Sequence, residues 1–455
     1  MGRVVSHDQA CCPAIHRFHR GFDIRANCIL LATTSLLVFV NMRSIAVAFL
    51  LSSAVGPLVS AADWHQFRGP QGQGHADAHD LPTRWSETEN VVWKVAIPGQ
   101  GHSSPVVVND QVWLTSAQEK GLSLRALCID RTGGNIIHNV ELFRLETSGP
   151  KNVKNSFASP TPIVEKDRVY IHFGQRGTAC LSTSGDVIWK TTSLQYSQPY
   201  AGASTPILFE DFMILTCDGT DSQFVVALNK RTGKVVWKTV RTHFTERAKP
   251  LPLMAYSTPL LVTIDGVPQI VSSAADHAAA YDARTGHEIW WLRYDGFSEV
   301  FRPVTWRGLV FLQGFENVSE VKLYAVRPDG KGEITKTHVE WKLDRGAPFV
   351  PSPLVVGDEL YIISDGGIAS CLDAKSGQVH WKDRIGGNHS ASPLYGDGKI
   401  YCFSEQGVTS VLVPGKRFQR IAKNELASGI TASPAAADRA FYIRTQSHLY
   451  RIEKR

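Results

Sequence analysis

One short pattern recurs along this chain and leaves few folds open to it. It is a polar turn that closes on glycine and releases a strand carrying tryptophan four residues later. The clearest copy is Leu228-Asn-Lys-Arg-Thr-Gly233-Lys-Val-Val-Trp237-Lys238. Gly233 can take a positive φ without steric cost, and Asn229 can hydrogen-bond within its own turn. Val235, Val236 and Trp237 have the bulk of a strand that packs. Further copies end at Gly185 before Trp189, Gly286 before Trp290 and Gly377 before Trp381. A weaker copy runs from Asp130 through Gly133 to Ile137, and degenerate ones stand at Gly330 and Gly415. Val91-Val92-Trp93-Lys94 is the tryptophan half alone, with no turn before it.

Between these turns a second mark repeats, a proline that opens a short apolar strand. The prolines are Pro105, Pro162, Pro206, Pro259, Pro303, Pro353, Pro393 and Pro434. All follow Ser or Thr except Pro303, which follows Arg302. A strand-only unit repeating every ~40–50 residues predicts β-propeller blades of four strands, A to D. Eight such prolines predict an all-β, eight-bladed propeller. The last unit runs out after a third strand, so the orphan strand at Trp93 is expected to complete it and close the ring without a free edge. Trp93, Trp189, Trp237, Trp290 and Trp381, with Gly133, Gly185, Gly233, Gly286 and Gly377, are read as structural repeat positions.

The two ends differ from the repeats. Residues 1–61 read as an N-terminal extension and signal peptide: a second apolar run follows Met42-Arg43 and ends at Ala61, the expected cleavage point. Met42 is the expected true start. That places the protein in the periplasm or outside the cell, with no membrane span in the mature chain. Residues 62–90 read as a leader packed on the propeller through Trp64 and Phe67, and 91–455 as the propeller. A net charge of +6 over 455 residues, without a Lys/Arg stripe, gives no reason to expect nucleic acid. Five widely spaced cysteines remain in the mature chain: Cys128, Cys180, Cys217, Cys371 and Cys402. Cys180 with Cys217 and Cys371 with Cys402 could bridge adjacent blades; small buried hydrophobe is the default for each.

The repeated Asp-x-x-Thr-Gly-x-x-x-Trp turn with Pro-led strands resembles the pyrroloquinoline quinone (PQQ) repeat. That family includes the quinoprotein alcohol dehydrogenases and the periplasmic propeller of the outer-membrane barrel assembly machinery. Trp64-His65-Gln66-Phe67-Arg68-Gly69-Pro70 and Gly101-His102-Ser103-Ser104-Pro105 resemble its secreted bacterial branch. The resemblance implies that each strand-D Trp packs on a neighbouring blade. It also implies what a quinoprotein would need: a Trp floor, an adjacent Cys-Cys disulfide, and calcium held by Glu, Asn and Asp. The mature chain has no adjacent cysteines and no calcium-loop cluster. PQQ with calcium is therefore the alternative, and no cofactor or metal is the expectation.

Strand A is innermost in a propeller, so the residues before each proline should ring the channel mouth. These include His102, Ser103, Asn155, Ser156, Tyr200, Tyr256, Arg302, Phe349, Asn388 and His389. They form a candidate site for a small polar or anionic ligand, with Arg302 as the fixed charge. No catalytic motif is evident. The enzymatic alternative would use His102, Tyr256, Arg302 and His389. Two D-to-A connections read as long: His138 to Phe157, and Thr239 to Tyr256, a basic flap with Arg241, His243, Arg247 and Lys249. The expected function is a binding or scaffold protein of the cell envelope, monomeric, whose partner is an envelope protein or a small ligand.

Overall fold

The computed structural model describes residues 63–246, 252–316 and 320–455. The expected signal segment lies outside them, as do Arg247 and Lys249 of the second long connection.

The described residues form eight blade sheets, each with four antiparallel strands that pair in chain order in blades 1 to 7. Blade 6 is representative, with strands Leu354–Val356, Glu359–Ile363, Ile368–Asp373 and Val379–Arg384. The middle strands are almost wholly buried, whereas the outer strand is half-buried to exposed along its length. That pattern follows from position, because strands B and C pack between neighbouring blades and strand D forms the rim. Blade 8 is completed by the N-terminal strand Val91–Ala96, which pairs antiparallel with His448–Glu453 from Val91–Ile452 to Ala96–His448.

The tryptophan turn fastens one blade to the next. A Cβ on Gly233 would lie 2.5 Å from the Trp189 ring of the preceding blade. Gly286 stands against Trp237 and Gly377 against Trp341 in the same way. The indole N–H then donates to a carbonyl of the next blade's turn: Trp189 to Lys230 at 3.0 Å, Trp341 to Ala374 at 3.2 Å, Trp381 to Gly415 at 2.9 Å. So the glycine is required twice, for its left-handed φ of 70° at Gly233 and for the flat ring lying on it.

Three details depart from the sequence reading. In blade 1 the left-handed glycine is Gly134, not Gly133, and the residue opposite Cys128 is His138 rather than Ile137. His138 occupies the tryptophan position and packs on Gly185. Blade 5 has its own tryptophan, Trp341, concealed from the motif because the turn before it is enlarged. Part of that enlargement, Gly332–Glu333, adds a fifth strand parallel to Trp290–Trp291 of blade 4. Finally, strand D of blade 1 continues from Ile136 to Arg144, so the first long connection begins later than His138.

The five cysteines among the described residues are free and buried. Cys180 and Cys217 share one inter-blade cluster, and Cys371 and Cys402 another. Burial pushes the Cys371 thiol up to about 11 and that of Cys402 to about 12. All are packing residues in this state.

Candidate functional site

The Ser/Thr-Pro rule has a physical cause. In six of the eight blades the N–H of the pre-proline residue donates to the hydroxyl of the equivalent residue one blade on. The bonds are Ser104 to Thr161, Thr161 to Thr205, and Thr205 to Thr258, each 3.0 Å. After the Arg302 position the girdle resumes: Arg302 N–H to Ser352 and Ser352 to Ser392 at 3.0 Å, Ser392 to Ser433 at 2.9 Å. A proline follows each of these residues, fixing its backbone as extended. The hydroxyl satisfies a buried amide that no strand partner reaches. Arg302 has no hydroxyl to offer Thr258, so it interrupts the girdle.

This girdle encircles a cavity of about 290 Å³ at the channel centre. Above the hydroxyls stand His102, Asn155, Tyr200, Tyr256 and Phe349, with Lys154 beside them. Phe67 of the leader also lines it. The leader enters the channel along the inner edges of strands A. Trp64 bridges Val107, the His65 carbonyl accepts from Val164, the Gln73 side chain accepts from Thr305 N–H, and Ala76 pairs with Tyr395. It thereby supplies partners to backbone edges that would otherwise face the lumen.

The mouth residues divide by role. Tyr200 is 40% exposed and stands on the rim. Asn155 is spent on structure: its amide donates to the Tyr200 and Ala201 carbonyls at 2.9 and 3.0 Å, and its oxygen accepts from Ser156 and Ser159. The Tyr256 hydroxyl donates to Met254 Sδ at 3.3 Å. His102 is pushed down to about 4 by burial, then by the nearby charges of Arg444 and Lys151, so it is neutral at pH 7. Ser103 is buried and accepts from Arg444 at 2.6 Å.

The remaining candidates are elsewhere. His389 is buried with Nε2 3.0 Å from the Gly386 carbonyl, and Asn388 is exposed; neither lines the cavity. Arg302 is not the fixed charge of the mouth. Its guanidinium turns away and donates to the Phe67 carbonyl at 3.0 Å, because the missing girdle hydroxyl leaves room for the chain of the leader. Thus His102 and Tyr256 share a cavity wall, while Arg302 and His389 do not join them.

Arg241 and His243 do not form a free basic flap. Arg241 is buried, with Nε and Nη2 on the Asp218 carboxylate at 2.7 and 3.1 Å, and Nη2 donating to Ser272. His243 stacks on Trp291 with ring centroids 4.0 Å apart and bonds Glu288 at 2.7 Å. Two of the four basic residues are therefore fastened to blades 3 and 4. Behind them Glu299 is fully buried, and neither carboxylate oxygen has a hydrogen-bond partner among the described residues. Burial holds this carboxyl well above the usual range, and Asp218 and Asp276 add to that. Nothing in the sequence singled out Glu299, since a lone glutamate in a connecting loop ordinarily reads as solvated.

A family model described as outer membrane protein assembly factor BamB matches residues 77–207 and 221–455. Among curated proteins none matches the chain. Among solved structures, BamB from Moraxella catarrhalis is similar at TM-score 0.54 and 13% identity, covering 80% of this chain and 99% of that one. The quinohemoprotein alcohol dehydrogenase ADHIIG of Pseudomonas putida HK5 is similar at TM-score 0.61 and 10% identity, covering 86% and 80%. A computationally designed protein, Ika8, gives TM-score 0.53 at 9% identity, covering 82% and 100%. Identities this low show the shared propeller and no more. The family model spans well over half of the chain, and the protein belongs to the PQQ-repeat β-propeller family of the outer membrane protein assembly factor BamB.

Proposed function

We propose that this is an exported binding protein of the cell envelope that receives a partner protein at the D-to-A face of its propeller. The observation that carries the reading is the open cavity of about 290 Å³ on that face, with Tyr200, Tyr256 and Phe349 as its walls. Aromatic side chains give large contact area with little rotamer freedom to lose. The girdle fixes the walls to rigid blades, and the connections above vary freely, which suits recognition. The name of the family, an outer membrane protein assembly factor, supports an envelope setting and a protein partner. Among the described residues no helix is long and apolar enough to cross a membrane.

The test is site-specific photo-crosslinking in cells, with the probe at position 200 on the rim or at position 187 on the outer strand of blade 2. A discrete partner adduct is expected from position 200 and not from 187, and Phe349→Ala should reduce it several-fold. Equal adducts from both positions would remove the face assignment.

The residues of the channel do not fit PQQ with calcium. Its lining holds no carboxylate among the described residues, and the aromatic contributed by the leader is Phe67. The free cysteines are not adjacent in sequence. No group of three or more His, Cys, Asp or Glu among the described residues could share a metal ion. We infer a channel that carries no quinone. Titration with PQQ and calcium should leave the quinone absorbance unchanged, and a saturable change at micromolar PQQ would reverse this reading.

A further inference from the structure

Arg68 of the leader lies close to Arg302 of blade 5, the two 2% and 4% exposed. Their fixed partners are neutral carbonyls. Arg68 donates to Gln73 and Pro353 at 2.9 and 2.7 Å, and Arg302 to Phe67 at 3.0 Å. Neither forms an ion pair with a carboxylate among the described residues. Arg68 Nε and Nη1 and Arg302 Nε have no partner there either. Burial, and for Arg68 the charge of Arg302, pushes them down to about 9 and about 10, still protonated at neutral pH. Two buried like charges without a counter-charge are strongly unfavourable in a low-dielectric setting.

The surroundings supply a place for that counter-charge. A cavity of about 400 Å³ abuts Arg302, walled by His65, Gln71 and the apolar side chains of Ile163, Ile207 and Leu261. Its wall also holds Glu165, which is engaged by Lys230 at 2.7 Å. Gly72 lies directly on the Arg302 guanidinium, where any side chain would overlap it. The residue is therefore held in place by the leader and cannot swing out to solvent.

We propose that this cavity binds a small oxyanion, a carboxylate or phosphate group, on the guanidinium of Arg302. The site is separate from the channel mouth and stands whether or not a partner docks there. Arginine presents parallel N–H donors that match the oxygens of either group. Closed by the leader on one side and by strands A on the other, it would take a small ion or a single terminal group.

The experiment uses the purified exported protein, with inorganic phosphate or acetate replacing chloride at constant ionic strength. A saturable rise in the thermal midpoint is expected with one or both ions; acetate and phosphate together mean a general oxyanion site, phosphate alone a phosphoryl-selective one. Arg302→Met should weaken the response by about tenfold or more, the usual loss for a charge-assisted pair. Gln71→Glu, which places a carboxylate in the cavity wall, should raise the basal midpoint and abolish the response. Tyr256→Ala at the channel mouth should respond as wild type. The proposal is overturned if the midpoint follows chloride controls, or if Arg302→Met retains the full response. Should Arg302→Met fail to fold, an unchanged response in Gln71→Glu overturns it equally.

Discussion

Gly233→Val should unfold the propeller at distinctly lower urea than Gly308→Val, although both place a branched side chain at a left-handed position. The two φ angles are similar, 70° and 82°. Each substitution incurs backbone strain of ~1–3 kcal/mol. Only at Gly233 does the new Cβ meet a neighbour, the Trp189 ring at 2.5 Å; at Gly308 nothing lies within 4 Å. Overpacking there adds ~1–3 kcal/mol, because the indole is also tied by its N–H to Lys230 and cannot retreat without losing that bond. The difference between the two midpoints therefore reads the inter-blade lock directly. Adding Trp189→Ala should make the Gly233→Val penalty fall to that of Gly308→Val. Equal midpoints for the two valine variants would show that the ring does not bear on the turn.

Glu299→Gln should flatten the decline of stability on the alkaline side. The folded state holds this carboxyl protonated well above the usual range, while in the unfolded chain it titrates near ~4.3. Above that pH the native state binds a proton that the unfolded state has released. Stability is then full below about pH 4 and falls as pH rises, by up to ~1.4 kcal/mol per unit until the folded-state value is passed. The amide keeps the volume and cannot ionise. The gap between variant and wild type in urea unfolding should therefore widen from pH 5 to pH 8, with the variant the more stable. Parallel pH profiles would show that Glu299 is solvated or paired.

The fold was largely legible because the signals that carry it are local and repeated. A turn glycine, a tryptophan four residues on and a proline at the next strand are each short-range requirements, so seven of eight strand-A prolines kept the same residue class before them. Legibility failed where one insertion changed the count. Gly134 follows Gly133, and the turn before Trp341 is enlarged, so His138 and Trp341 went unassigned although they occupy the same place as the other rings. The candidate site was harder. His102, Asn155, Tyr200 and Tyr256 line one cavity, yet position before a proline says nothing of where a long side chain turns. Arg302 shows why: the exception to the hydroxyl rule looked like a placed charge, but its length lets it reach the leader. Arg241 likewise read as part of a basic flap, whereas Asp218, from another strand, holds it buried.

The shared last blade governs when this molecule can become itself. Glu87, just before the N-terminal strand, accepts from the hydroxyl of Tyr450, 363 residues away in sequence. The strand beside it has no partner until the final residues of the chain arrive. Folding from the N-terminus can accumulate blades but cannot close the circle, and the unpaired strand stays sticky throughout. Distance alone adds little, since each doubling of a loop raises the closure penalty by only ~0.6 kcal/mol. What is deferred is order of events. A chain synthesised N-terminus first remains an open arc, and its circle is completed only when His448–Glu453 has emerged to pair with Val91–Ala96.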